Sequence, residues 1–111
     1  MFGMFGGNSI PNLGGAEFQK AIDEKKNAVI LDVRTEDEFM AGYIPNAINI
    51  DIYDDAFADK ISKLDKAKSY LVYCRSGARS MSACKFMKDK GFEDVSNLNG
   101  GILGWRGDIK R

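Results

Sequence analysis

Of the residues able to do covalent chemistry, Cys74 has the most suggestive neighbours. It follows an apolar, aromatic run (Tyr70–Tyr73) and opens the segment Cys74-Arg-Ser-Gly-Ala-Arg-Ser80. A cysteine that ends a buried strand, a short loop holding Gly77 and a helix starting near Arg79 or Ser80 make an anion cradle: successive backbone N–H groups turn inward and the helix start adds its positive partial charge. Arg75 and Arg79 add two permanent cations, and across residues 74–90 basic side chains outnumber acidic ones five to one. Such a field favours thiolate. A free thiol with a pKa of about 8.5 is about 3% ionised at neutral pH, and lowering that pKa by about 2 makes it mostly ionised. The nucleophile is then activated by the cradle itself, with no general base.

That independence matters because the chain has no histidine among its 111 residues. Cys-His and Ser-His catalysis, His-ligated metals and imidazole pH switches are excluded. Two cysteines, Cys74 and Cys84, are too few for a disulfide framework or an all-cysteine zinc site, so no metal site is expected. A formal net charge of zero gives no global attraction to nucleic acid or to an anionic membrane. No apolar run approaches the roughly 20 residues of a membrane span. The chain reads as a soluble, cytoplasmic protein with reduced thiols. The zero total conceals a dipole, since Asp51–Asp59 carries four carboxylates and no base.

The elements that must position Cys74 follow from hydrophobic period. Phe18, Ala21 and Ile22 space one helical face, while Ala28–Val33 is a short apolar, β-branched run suited to a strand covered on both sides. Thr35-Glu-Asp-Glu38 is a capping box that opens a short helix ending at Gly42. Ala47–Ile50 reads as a strand, Ala56–Leu64 as a helix, Tyr70–Tyr73 as a strand, Ser80–Lys90 as a helix and Val95–Leu98 as a last strand. Ile10–Leu13 is a candidate edge strand. This alternation implies an α/β domain with a largely parallel sheet, in which ligands gather beyond the carboxyl ends of the strands. Asp32-Val-Arg34 and Cys74–Ser80 both fall there. Residues 1–8, rich in Gly, Met and Phe, stand apart as a flexible leader, leaving 9–111 as the domain.

Three segments in this order, LDVRTEDEFMAGYIPNAINI (31–50), CRSGARS (74–80) and NLNGGILGW (97–105), resemble a single-domain rhodanese-like sulfurtransferase. The resemblance covers residues 9–107. It implies a central, mostly parallel five-stranded sheet flanked by helices on both faces, a six-residue active loop (Cys74–Arg79) and a Cys74 persulfide intermediate. The implied reaction moves sulfane sulfur from thiosulfate, a persulfide or a polysulfide to cyanide or a thiol, a protein thiol included, with no cofactor. Cys74 is then nucleophile and carrier. The backbone of Arg75, Ser76, Gly77, Ala78, Arg79 and Ser80 holds the anion, and the Arg75 and Arg79 side chains are candidates for gripping a donor oxyanion. An arginine at a loop–helix junction can instead fold back onto a carboxylate. Ser76 and Ser80 can donate to sulfur or cap the helix, capping being favoured for Ser80. Asp32, Arg34 and Glu38 form a supporting shell by resemblance, with Glu38 a candidate partner for Arg34.

The family reads Gly-His-Ile-Pro-Gly-Ala where this chain has Gly42-Tyr-Ile-Pro-Asn-Ala47, so Tyr43 and Asn46 are departures near the site. Cys84 lies on the apolar stripe of its helix and is expected to be core rather than a resolving thiol, and Trp105 is expected to anchor the C-terminal segment. Two rivals differ in class. Cell-cycle-type cysteine phosphatases and arsenate reductases place five residues between Cys and Arg, whereas Cys74 and Arg79 enclose four, a cradle too narrow for phosphate. A persulfide carrier without turnover, or a partner-binding module, would share the fold.

Overall fold

A computed structural model describes residues 9–111, so the expectation of a flexible leader at 1–8 lies outside the described residues. The elements run β1 (Asn12–Leu13), α1 (Gly15–Glu24), β2 (Val29–Asp32), α2 (Glu36–Met40), β3 (Ile48–Asn49), α3 (Phe57–Ser62), β4 (Ser69–Tyr73), α4 (Ala78–Asp89) and β5 (Asp94–Leu98), followed by a 3₁₀ turn at Ile102–Gly104. The sheet order is β1-β5-β4-β2-β3, and each of its strand pairings is parallel, while Tyr43 and Lys110 form an isolated antiparallel bridge outside it. The fold is therefore the α/β architecture expected from the sequence, a parallel five-stranded sheet with helices on both faces.

Strand alternation explains the two cores. Leu31, Val33, Tyr70, Val72, Cys74 and Val95 point to one face, where they meet Phe57 and Ile61 of α3 and Ala83, Cys84 and Met87 of α4. Ile30, Leu71, Tyr73 and Leu98 point to the other, against Phe18 of α1 and Trp105. With both faces covered, near-continuous apolar strands are what a parallel sheet requires. Trp105 packs edge-on to Phe18 at 5.8 Å and donates to the Asp108 carbonyl at 3.0 Å, tying the C-terminal segment to α1.

Several elements differ from the sequence pattern at their ends. α3 stops two residues short of the helix read from Phe57, Ile61 and Leu64, and β3 is only two residues long. α4 starts at Ala78 rather than Ser80, because Gly77, at φ +107°, takes the N-cap position expected for a hydroxyl. Asn46 sits at φ +72°, in the left-handed region where asparagine is among the few tolerated side chains. Its place in a position the family fills with glycine follows from that backbone. Tyr43 stacks on Phe39 at 4.2 Å and exchanges two backbone hydrogen bonds with Lys110.

The topology fixes where a ligand can sit. The connection from β2 leads outward to β3, while that from β4 leads the other way to β5. The connections leaving the carboxyl ends of adjacent strands β2 and β4 thus run in opposite directions, and that switch point is where open α/β sheets hold ligands. Asp32 and Arg34 close one side of it. Arg34 forms a buried ion pair with Asp32 at 2.6 Å and donates to the Gly42 carbonyl, also at 2.6 Å, so the return from α2 is tied to the end of β2. Removing one member of a buried pair strands the other charge, at a cost of about 3–5 kcal/mol. Asp32→Ala is expected to lower unfolding stability by that amount in urea titration, and a loss under about 1 kcal/mol would deny the pair this role.

Candidate active site

Cys74 follows the last residue of β4, and its side chain is fully buried, with 0% exposure, beneath the turn into α4. The Gly77 N–H points at its sulfur from 3.1 Å, and the Ser80 hydroxyl donates to it from 3.3 Å. Two effects on the thiol oppose each other. Burial pushes its pKa up, and hydrogen bonds from the Ser80 hydroxyl and from the Ser80, Gly77 and Ser76 amides pull it down. The hydrogen bonds win, and the thiol lies below its ordinary value.

Amides can face inward only if the loop carbonyls are occupied elsewhere. The segment after β5 does this. Ile102 N–H donates to the Cys74 carbonyl at 2.9 Å and Leu103 N–H to the Arg75 carbonyl at 3.1 Å. So close an approach needs Gly101, which stands at φ +64° and whose Cβ, if it had one, would lie 2.3 Å from the Arg75 oxygen. The Gly77 carbonyl accepts from Met81 N–H and from the Asn97 side chain. The function of the Gly-Gly turn was not read from its sequence, which carries no charge or nucleophile. Two glycines before an apolar residue were the available signal.

The two arginines have different surroundings. Arg79 makes a two-pronged bond to Glu38, at 2.8 and 2.9 Å, and its guanidinium lies 5.6 Å from the Tyr53 ring centre. Glu38 is therefore the partner of Arg79 and not of Arg34, whose carboxylate is Asp32. The reason is geometric. Asp32 is two residues from Arg34 and receives its backbone N–H at 2.8 Å as well as its side chain, while the capping box turns Glu38 toward the α4 side. The Glu38 carboxylate does two jobs, accepting from Thr35 N–H at 3.1 Å and from Arg79. With most of its fork engaged by Glu38, Arg79 braces the loop. Arg75 is exposed, and among the described residues its side chain has no hydrogen-bond or ion-pair partner.

Ser80 departs from the capping role expected of it. It is the third residue of α4, and its hydroxyl reaches the Cys74 sulfur. Ser76 lies exposed on the loop and contributes its amide, and Ala78 is the exposed first residue of α4. Asp32 and Arg34 sit beside the loop without touching the sulfur, joined by Asn49, whose side chain donates to both their carbonyls at 3.0 and 2.9 Å. Tyr73 adds a hydroxyl that accepts from Ile44 N–H at 3.1 Å, and Arg34 lies 5.6 Å from its ring centre. Cys84 is buried in the α4 core, where burial first and the Cys74 charge second push its thiol up to about 12.

Comparison with known proteins places the chain's pattern in a family. The rhodanese-like domain family matches residues 15–108. YtwF of Bacillus subtilis, provisionally named a sulfurtransferase, is 37% identical over 91% of this chain and 95% of its own length. The thiosulfate sulfurtransferase GlpE of Pseudomonas savastanoi is 35% identical over 74% of this chain and 76% of its own. A tRNA uridine(34) hydroxylase of Cytophaga hutchinsonii is 41% identical, but this chain spans only 30% of its length. In structure, a rhodanese-related protein of Thermoplasma volcanium superposes with a TM-score of 0.79 at 30% identity, covering 90% of this chain and 97% of its own.

The Glu38–Arg79 pair should register in acid. Hydrogen bonding from Arg79, with a smaller contribution from Thr35, holds the Glu38 carboxyl down to about 2. A carboxyl depressed on folding adds stability above its ordinary pKa of about 4.3, and that stability is lost as pH falls toward the folded value. The stability gap between wild type and Glu38→Gln is therefore expected to be widest near neutrality and to close between pH ~4.5 and ~2. Urea unfolding across that range checks it, and a constant gap would mean the pair contributes nothing.

Proposed function

This chain belongs to the rhodanese-like domain family, and from that premise we propose that it is a sulfurtransferase that carries sulfane sulfur on Cys74. In the first step the Cys74 thiolate attacks the outer sulfur of a donor such as thiosulfate or a persulfide. A new S–S bond forms, the donor's own S–S bond breaks, and sulfite or a thiolate leaves with the electron pair. In the second step cyanide or an acceptor thiolate attacks the outer sulfur, and Cys74 departs as thiolate. No proton moves at sulfur in either step.

The observation that carries this reading is the ring of donors around a buried sulfur: the Gly77 amide at 3.1 Å, the Ser80 hydroxyl at 3.3 Å and the further amides of Ser76 and Ser80. The same groups that ready a thiolate for attack also make it a better leaving group, since exchange is faster as the leaving thiol's pKa falls. Arg75 is the cation available to a donor oxyanion, because Arg79 is engaged by Glu38. Small anionic donors are favoured on this account, with a thiol, cyanide or a protein thiol as acceptor. A cytoplasmic setting, with thiols kept reduced, suits this chemistry, and among the described residues no helix is long and apolar enough to cross a membrane.

Intact mass after thiosulfate treatment tests the persulfide. A gain of about 32 Da, one sulfur atom, is expected in wild type and absent in Cys74→Ser, while the circular dichroism of the variant stays unchanged. No adduct with thiosulfate, polysulfide or glutathione persulfide would reject sulfur transfer in favour of a binding module. Arg75→Ala is expected to raise KM for thiosulfate about tenfold, the worth of a charge-assisted hydrogen bond of roughly 1.5 kcal/mol, with no change in melting temperature. An unchanged KM would remove Arg75 from the donor site.

A further inference from the structure

Asn97, on β5, has the one buried side-chain oxygen or nitrogen among the described residues that lacks a hydrogen-bond partner. Its Nδ2 donates to the Gly77 carbonyl at 3.2 Å and to Asn12 Oδ1 at 3.0 Å, while its own Oδ1 is stranded. Turning the amide over would set that oxygen against the Gly77 carbonyl, an acceptor only, so this contact fixes its orientation. An amide kept for packing alone would not be held so as to leave a buried oxygen bare. The donor end is what this position uses.

What the donor does follows from counting lone pairs. A carbonyl oxygen has two, and at Gly77 they are taken by the Met81 N–H at 3.1 Å and by Asn97. The Ser80 hydroxyl lies between the same carbonyl and the Cys74 sulfur, 3.3 Å from each, and has one proton to give. A separation of 3.3 Å is long for O–H···O, whose usual value is about 2.7–2.8 Å, and unexceptional for the larger sulfur atom. Were the carbonyl free, the proton would divide between the two acceptors.

We propose that Asn97 is a positioning residue which, by occupying the Gly77 carbonyl, commits the Ser80 hydroxyl proton to the Cys74 sulfur. Asn97 touches neither the sulfur nor a substrate and acts entirely through Gly77 and Ser80. The inference deepens the sulfur-transfer reading of the same site, yet it concerns the thiol alone and can be measured without any sulfur donor. The other groups that bear on this thiol are Arg79 and Cys84 from α4, Glu38 from α2 through its pair with Arg79, and Arg75 on the loop. None of them contacts Asn97 through a hydrogen bond or an ion pair.

The test is the pH dependence of iodoacetamide alkylation at Cys74, read by mass, in a double-mutant cycle. Asn97→Ala is expected to slow alkylation at neutral pH about threefold and move its midpoint upward, as loss of part of one hydrogen bond to thiolate should. In a Ser80→Ala background the same substitution should change the rate by less than about 1.5-fold, since no hydroxyl proton remains to be directed. Equal slowing in both backgrounds would overturn the proposal, because Asn97 would then act on the loop as a whole. No slowing in either would overturn it as well. If Asn97→Ala fails to fold, Asn97→Ser, too short to reach Gly77, takes its place in the same cycle. A wild-type protein that alkylates readily yet accepts no sulfur would refute the transferase reading and leave this one standing.

Discussion

A sulfur with no exposure to water that must carry charge in the proposed cycle is the most demanding group in this chain. Burial alone would push the thiol up, as it does at Cys84, and the hydrogen bonds that oppose it come from short-range donors whose direction the fold must fix. Amides cannot be turned inward one at a time, since each peptide that offers an N–H to the sulfur has a carbonyl that must go somewhere. The carbonyls of Cys74, Arg75 and Gly77 find Ile102, Leu103, Met81 and Asn97. A segment 20 or more residues downstream is therefore as much a part of the sulfur's environment as the loop that bears it.

The arginines divide the remaining labour. A guanidinium that bridges to Glu38 keeps its charge while losing freedom, so Arg79 contributes field and rigidity together. Because Glu38 also caps α2, and the residues just beyond α2 are tied back to Arg34 and Asp32 through the Gly42 carbonyl, the loop's brace extends to the end of β2. This chain of contacts joins both sides of the switch point between β2 and β4. Asp32 and Arg34 thus serve the sulfur from a distance, as an anchorage rather than as contacts.

Much of this arrangement was legible in the residues. Period and apolar content marked the strands and most helices, since with both sheet faces covered burial and local propensity agree; α2 was marked by its capping box, and the 3₁₀ turn at Ile102–Gly104 gave no periodic signal. Cys74, the glycine loop and the basic flank marked the site. Pairing was less legible: Glu38 stands four residues from Arg34 and 41 from Arg79, and nothing local reveals that Asp32 has already taken Arg34. Ser80 was misread for a related reason. A serine near a helix start suggests a cap, but Gly77 in a left-handed conformation starts α4 earlier and leaves the hydroxyl free to face sulfur. Asn97 and Gly101 gave little signal, because their roles are to occupy a carbonyl and to be absent as a side chain.

The two departures from the family's Gly-His-Ile-Pro-Gly-Ala pattern show which features of the site are negotiable. Asn46 preserves the backbone: at φ +72° an asparagine follows the path glycine would, at modest conformational cost. Tyr43 puts a phenol where the family has an imidazole; its ring stacks on Phe39 and its backbone pairs with Lys110, so packing and main chain hold the segment. In the proposed cycle no proton is taken from or given to a reacting atom, because thiolate is both the attacking and the departing species. A chain with no histidine can sustain such chemistry provided its amides stay fixed. The constraint on this fold then falls on backbone direction around one sulfur, and side chains that do not bear on it are free to vary.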